Sequence, residues 1–249
     1  MRRRFFVERF EDSSAILTGD SAEHLGRVLR AEQGQLYELS DGHRVFLARV
    51  ETVAVAKRGE PRVEFSLVEP IDAREDGAPL HLLLSLVKFD RFEWALEKAT
   101  ELGVSEIVPL IAARTDKPLI EGARKRRARW QKILLESAQQ SRRLRPPALV
   151  EALPPERAFA ASQSALKILL SERAGAPPLR RVLRHETLES SAAPSSAALA
   201  IGPEGGWTDT EISAAIAAGF AEASLGATIL RTETAVIASL AAIRFALGE

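Results

Sequence analysis

The chain has 249 residues, with 34 Lys+Arg set against 34 Asp+Glu, 46% hydrophobic and 27% charged residues, no Cys and four His. This is globular composition, long enough for one large domain or two ordinary ones. It excludes a disulfide scaffold, a thiolate nucleophile and a zinc-finger site; the His at 24, 43, 81 and 185 are too scattered for a metal cage, so no metal is expected. The N-terminus, Met1 to Val7, is basic, but Glu8 and Glu11 follow instead of an apolar stretch, so it is no signal peptide. No run of about 18 apolar residues exists, and a cytoplasmic protein without membrane contact is expected.

Residues 1–70 read as β. Short apolar runs at Gln35–Leu39, Val45–Val55 and Arg62–Val68 are separated by turn signals at Asp41-Gly42 and Gly59-Glu60-Pro61. One helix interrupts them, Ala22–Arg30, with Ser21 as N-cap and Leu25, Val28 and Leu29 on one face. This describes a small β-barrel. Residues 71–79 are polar with Gly and Pro and read as a linker. From residue 80, continuous apolar runs alternate with helical patterns. Strands are predicted at Leu80–Val87, Glu106–Ile111, Ala165–Leu170, Ala197–Ile201 and Ala223–Leu225. Helices are predicted at Phe92–Leu102 (closed by Gly103), Arg124–Ser141, Asp209–Ala218 (ending at Gly219) and Glu233–Leu247. That alternation predicts an α/β fold with a parallel sheet covered on both faces. Glu186–Ala198 is low in complexity and reads as a flexible surface loop.

The neutral total conceals a dipolar chain. Residues 114–145 carry eleven basic and three acidic residues, an excess of +8, whereas residues 200–249 carry two basic and six acidic, an excess of −4. A basic helix with basic flanks is an electrostatic footprint for phosphates, and a solvated helix face is the competing reading. Arg2, Arg3 and Arg4 form a second basic tip. His24, Arg27 and Arg30 recur at helical spacing as a third surface.

The most informative segment runs from an apolar strand into Gly202-Pro203-Glu204-Gly205-Gly206-Trp207 and then a helix, where Thr208 and Glu211 make a capping box. Glycines let the backbone approach a ligand, and ligands in open α/β sheets bind beyond the C-terminal strand ends. The loop lacks Gly-Lys-Ser/Thr and is not G-x-G-x-x-G. A second strand-to-helix turn, Leu225-Gly226-Ala227-Thr228-Ile229-Leu230-Arg231-Thr232-Glu233-Thr234-Ala235, repeats the design, and Leu169-Leu170-Ser171-Glu172 follows a third strand. Together they describe one pocket built from three strand ends. The final helix is apolar almost all round, with small Ala238, Ala241 and Ala242, and must be buried on several sides.

These segments resemble the SPOUT methyltransferases of the RsmE type. The resemblance rests on Gly202–Gly206, Leu225-Gly226 and Ile229–Ala235. It is joined in order by Arg4–Val7, by His24-Leu-x-x-Val28-Leu29-Arg30, by Lys88 with Glu97–Val104 and Pro109, and by Arg129-Trp130-x-Lys132-Ile133 with Gln140-Ser141-x-Arg143 and Pro147. The chain departs from the family pattern at Arg142, Ala113 and Ala227-Thr228. The resemblance implies a PUA-like RNA-binding β-barrel domain over 1–72. It implies a methyltransferase domain over 73–249, with a C-terminal trefoil knot in which S-adenosylmethionine (SAM) binds. It also implies a homodimer and methylation of N3 of a specific uridine in 16S ribosomal RNA of the small subunit.

On that resemblance, Leu170, Ile201, Ile229 and Leu230 sandwich the adenine, and main-chain groups of Ile201, Gly202, Leu225 and Leu230 contact adenine and ribose. Glu172, Pro203, Gly205, Gly226, Thr232, Thr234 and Ala235 complete the cofactor site. Arg231, at the mouth of the cofactor loop, is the first catalytic candidate, since a cation beside O2 or O4 stabilises the uridine anion. Glu233 is a second candidate, and both it and Glu204 are alternatively structural. Arg3, Arg4, His24, Arg27, Arg30, Arg114, Arg126, Arg127 and Arg143 are expected to contact RNA. The absence of Cys excludes a cysteine–pyrimidine adduct and leaves direct transfer to nitrogen. The rival readings are a knotted RNA methyltransferase with another target and a catalytically inactive ribosome-assembly factor.

Overall fold

The computed structural model describes residues 3–55, 59–72, 77–188 and 194–248. Arg2, part of the linker (73–76) and part of the low-complexity stretch (189–193) lie outside the described residues. The chain divides into two compact units, Met1–Asp76 with Ala138–Pro146, and Gly77–Ser137 with Pro147–Glu249. The break between the units falls after Asp76, and the later return of 138–146 to the first unit has no signal in composition.

In the first unit, β1 (Arg4–Phe6), β2 (Phe10–Glu11), β3 (Ser14–Thr18), β4 (Leu36–Ser40), β5 (Val45–Ala54) and β6 (Arg62–Ile71) form one sheet in the order β1-β4-β5-β6-β3-β2. All pairs are antiparallel except β1 with β4. Two register shifts in the β5–β6 pair curl the ribbon, as bulges do. Phe5, Leu17, Leu25, Leu39, Val50 and Phe65 fill its core.

The predicted helix at 22–30 differs from the structure. A short α1 (Gly19–Glu23) begins after Thr18, which gives no side-chain cap, and passes into a π-helical turn His24–Val28. Leu25 is buried, but Val28 and Leu29 are exposed. The wider turn accompanies a close approach at Gly26, where a Cβ would meet Val55 Cγ1 at 2.6 Å. Local packing thus overrides the three-residue apolar periodicity.

The second unit holds β7 (Leu80–Ser85), α2 (Phe89–Glu101), β8 (Glu106–Leu110), α3 (Lys117–Gln140), β9 (Ala148–Leu149), α4 (Pro155–Ala161), β10 (Leu166–Leu170), α5 (Leu179–Leu188), β11 (Ala197–Ile201), α6 (Asp209–Ala217), β12 (Ala221–Ala223) and α7 (Thr232–Ala246); the last turn of α3 counts with the first unit. Its six strands pair in parallel in the order β12-β10-β11-β7-β8-β9. The continuous apolar runs have the expected consequence. Leu82 and Leu84 of β7 and Leu199 and Ile201 of β11 face one core, while Leu83, Ala198 and Ala200 face the other. Helices α2, α3, α5 and α7 cover the first face, and α4 and α6 the second. Among the described residues no helix is long and apolar enough to cross a membrane.

Candidate functional site

Strands β12, β10 and β11 are adjacent and parallel, so their C-terminal ends open on the same edge of the sheet. The chain leaves them through Ser171–Arg173, Gly202–Trp207 and Ser224–Arg231, and these three segments enclose a cavity of about 600 Å³. That size lies within the range of small-molecule sites, roughly 300–1,000 Å³. Leu170, Ile201, Leu225, Leu230 and Ala235 give it an apolar half. Arg91, Arg114, Glu172, Arg173, Glu204 and Arg231 give it a charged rim. Such a division suits a ligand with a flat apolar ring system at one end and charges at the other.

The glycine loop is held by a set of specific ties. Trp207 is buried, and its Nε1–H donates to the Leu170 carbonyl at 2.9 Å, joining the β11 loop to the end of β10. Gly202 lies against that ring: a Cβ there would stand 3.0 Å from Trp207 Cε2. Gly206 turns the chain with φ +71°, a conformation that favours glycine. Thr208 and Glu211 form the predicted capping box, and the buried Glu211 carboxylate also accepts the Ala113 N–H at 2.8 Å. Arg114 donates to the Gly205 carbonyl at 2.7 Å and the Trp207 carbonyl at 3.4 Å. The end of β8 is therefore fastened to the loop from both sides.

The second loop is more open. The Ser171 N–H donates to Ala223 O at 2.9 Å, which ties it to the β10 end. Gly226 has φ +127° and faces open space. Ile229 is 81% exposed. Arg231 takes an extended backbone at the N-cap of α7 and reaches the pocket with no ion pair or hydrogen bond engaging its side chain among the described residues.

Of the residues predicted from sequence, Leu170, Glu172, Ile201, Gly202, Pro203, Leu225, Gly226, Ile229, Leu230, Arg231, Thr232 and Ala235 line this one cavity. Gly205 and Thr234 do not. The Gly205 carbonyl is taken by Arg114, and Thr234 points out from the first turn of α7. Glu233 is also absent from the wall: its carboxylate is buried at the start of α7, and Oε2 has no hydrogen-bond partner among the described residues. Arg91, in the first turn of α2, lines the cavity and pairs with Glu204. The sequence reading overlooked it, although it follows a buried strand directly, the position where an open α/β sheet places ligand groups.

The expected RNA contacts divide sharply. Arg3, Arg27 and Arg30 are exposed and His24 is half-buried, with Arg3 Nη1 3.0 Å from His24 Nε2. Arg4 and Arg143, by contrast, are buried. The Arg4 guanidinium binds Glu38 at 3.0 Å and the Arg142 and Arg143 carbonyls at 2.6 and 3.3 Å, so it fastens 138–146 into the first unit and cannot also meet a phosphate. Arg126 bridges to Glu93 and stacks on Phe89 at 4.3 Å, and Arg127 donates to the Leu149 and Val150 carbonyls. The exposed cations of α3 are instead Lys117, Arg124, Lys125, Arg129 and Lys132, of which Arg129 also pairs with Glu93.

The family model for the RNA methyltransferase domain matches residues 74–244. Ribosomal RNA small subunit methyltransferase E of a Synechocystis species is 33% identical over 95% of this chain and 74% of its own length. The protein of the same name from Bacillus subtilis is 30% identical over 98% of this chain and 96% of its own. Among solved structures, ribosomal RNA small subunit methyltransferase E from Neisseria gonorrhoeae bound to SAM superposes with a TM-score of 0.80 at 29% identity, covering 98% of both chains. A Legionella pneumophila protein solved with SAM bound gives a TM-score of 0.81 at 30% identity, covering 99% of this chain and 98% of that one.

Proposed function

This chain belongs to the RsmE-type family of RNA methyltransferases, and from that premise we propose the reaction in full: SAM-dependent methylation of small-subunit ribosomal RNA, with the methyl group placed on N3 of a uridine in 16S ribosomal RNA. The observation that carries this reading is the cavity at the ends of β10, β11 and β12, with its apolar half, its charged rim and the guanidinium of Arg231, which has no partner among the described residues.

The residues present fit SAM. Leu170, Ile201 and Leu230 offer an apolar slot for the adenine, and open backbone at Gly226 lets main-chain groups come close. The rim charges of Glu172 and Arg173 suit the ammonium and carboxylate of the methionine end. When bound, SAM supplies an electrophilic methyl group on a sulfonium. The protein's own work is to hold the acceptor in line and to ease loss of the N3 proton, which uridine still carries at neutral pH. Positioning alone supplies a large part of such a displacement. Arg231 donates to a carbonyl oxygen next to N3, where negative charge grows as the proton leaves. Glu211, Arg114 and Trp207 keep the loop rigid, so that these groups need not reorganise during the reaction.

The same reading assigns phosphate contacts to Arg3, Arg27, Arg30 and the α3 stripe of Arg124, Lys125 and Lys132. The first unit acts as a PUA-like RNA-holding module. The C-terminal part forms a trefoil knot, and the protein works in the cytoplasm as a homodimer. Support for the dimer comes from α7, where Thr234, Ala238, Ala241 and Phe245 make one exposed face of an apolar helix, with Phe245 84% exposed. The test is product analysis: small-subunit particles lacking the modification are incubated with methyl-labelled SAM and the RNA is digested to nucleosides. The label is expected in 3-methyluridine; label on a ribose 2′-hydroxyl or another base would overturn the assignment.

A further inference from the structure

Six ionisable side chains ring the cavity, and their partners separate them. Arg114 is held by two main-chain carbonyls, Arg173 lies 3.8 Å from Asp209, and Arg231 is unengaged among the described residues. Glu172 has no hydrogen-bond or ion-pair partner among the described residues, and Arg91 forms an ion pair with Glu204 of the glycine loop. That loop does not need Arg91 to hold it. Arg114 on Gly205 and Trp207, Trp207 on Leu170, and Glu211 on Ala113 already fasten it at three places. The Arg91–Glu204 pair is partly exposed, at 27% and 44% of the two side chains, and pairs of that kind add little to stability. What it does achieve is to set a guanidinium, aimed by a carboxylate, at the rim of the cavity from the first turn of α2, an element other than the one whose start carries Arg231.

Resting on the uridine-N3 reading above, we propose that Arg91 is a second substrate-facing cation: it donates to one of the two carbonyl oxygens that flank N3, Arg231 donates to the other, and Glu204 is the positioning residue that aims Arg91. The chemistry calls for two. Loss of the N3 proton to solvent water leaves an anion whose charge is shared by N3, O2 and O4. The N3 lone pair then forms the bond to the methyl carbon, and the electrons of the breaking carbon–sulfur bond stay on sulfur, giving S-adenosylhomocysteine, the methylated uridine and one released proton. A single guanidinium covers one of the two oxygens; two cover both and leave the N3 edge open to the methyl group.

The experiment uses the full chain, small-subunit particles and SAM, with Arg91→Ala, Arg91→Lys and Glu204→Gln. For each, kcat/KM is measured against pH, on normal RNA and on RNA containing 5-fluorouridine, whose N3 proton is more acidic; SAM affinity is measured by calorimetry. Arg91→Ala is expected to lower kcat by about 10²-fold, the usual loss of one such donor, with SAM affinity unchanged. The deficit should shrink as pH rises and on fluorinated RNA, Arg91→Lys should recover part of it, and Glu204→Gln should show a smaller loss with the same dependences. A loss of equal size at every pH and on both RNAs would make the pair a loop brace only. A loss explained by weaker SAM binding would make it part of the cofactor site. Either result overturns the proposal. Identification of the wild-type product tests the underlying uridine-N3 reading separately.

Discussion

Gly202→Ala probes the packing that shapes the cavity. The added methyl would stand 3.0 Å from Cε2, 3.1 Å from Nε1 and 3.2 Å from Cδ2 of Trp207. That ring cannot swing aside freely. It is buried, packs edge-on against Phe159 at 5.8 Å and is tethered through Nε1 to the Leu170 carbonyl. The backbone of Gly202 does not require glycine, since its φ lies outside the left-handed region, so the whole cost is steric. Overpacking of this kind costs about 1–3 kcal/mol, which in a chain of this size lowers Tm by roughly 2–12 °C. A shifted Trp207 also displaces Leu170 and Ile201, so SAM affinity should fall with it. The assay is a double-mutant cycle by thermal unfolding and SAM calorimetry, combining Gly202→Ala with Trp207→Phe. The smaller ring, without Nε1, relieves the contact, and Gly202→Ala should cost far less in that background, with a coupling on the order of 1 kcal/mol or more. Equal costs in both backgrounds would refute the reasoning.

Four further outcomes are expected. Arg4→Met should destabilise the first unit by up to about 3 kcal/mol, because it removes the buried partner of the Glu38 carboxylate and leaves it only the more distant Arg142, at 3.6 Å; unchanged Tm with weakened RNA binding would return Arg4 to the RNA surface. Glu211→Gln should cost about 1–3 kcal/mol, since an amide NH₂ must then face either the Ala113 or the Thr208 N–H; a neutral result in urea denaturation would contradict this. Arg124→Glu with Lys125→Glu and Lys132→Glu should weaken RNA binding and flatten its salt dependence while SAM binding stays intact; unaltered filter-binding curves would make α3 a solvated face. Glu233→Gln should keep most of the turnover, since its carboxylate is buried outside the cavity wall; a loss of about 10²-fold in methyl-transfer assays, the usual effect of deleting one transition-state donor, would restore it as a catalytic group.

The α/β unit was legible because its strands are buried on both faces. Ala197–Ile201 has no polar position to give and Leu80–Leu84 only His81, and such runs between helical patterns admit few alternatives. The cavity was legible for a related reason, since two glycine-bearing turns after buried strands mark one edge of a parallel sheet. What escaped the sequence was tertiary. Helix α5 carries Leu179, Val182 and Leu183 at helical spacing, but the low-complexity stretch that begins within it masked the signal; α4 is only two turns long. The basic count over 114–145 was real but could not tell a phosphate-facing arginine from one that caps a strand. Arg127 meets two main-chain carbonyls, Arg114 braces a loop 91 residues away in sequence, and Arg4 reaches 138 residues along the chain. Partners so distant leave no local pattern, which is also why Arg91 and Glu204 could be seen as a pair only in the fold.

The most direct measurement is a crystal structure of the protein with S-adenosylhomocysteine. Adenine density against Leu170, Ile201 and Leu230, with the sulfur turned towards the rim that carries Arg231, is the expected result. Ligand density elsewhere, or none at saturating concentration in a cavity left unchanged, would contradict the assignment of this site.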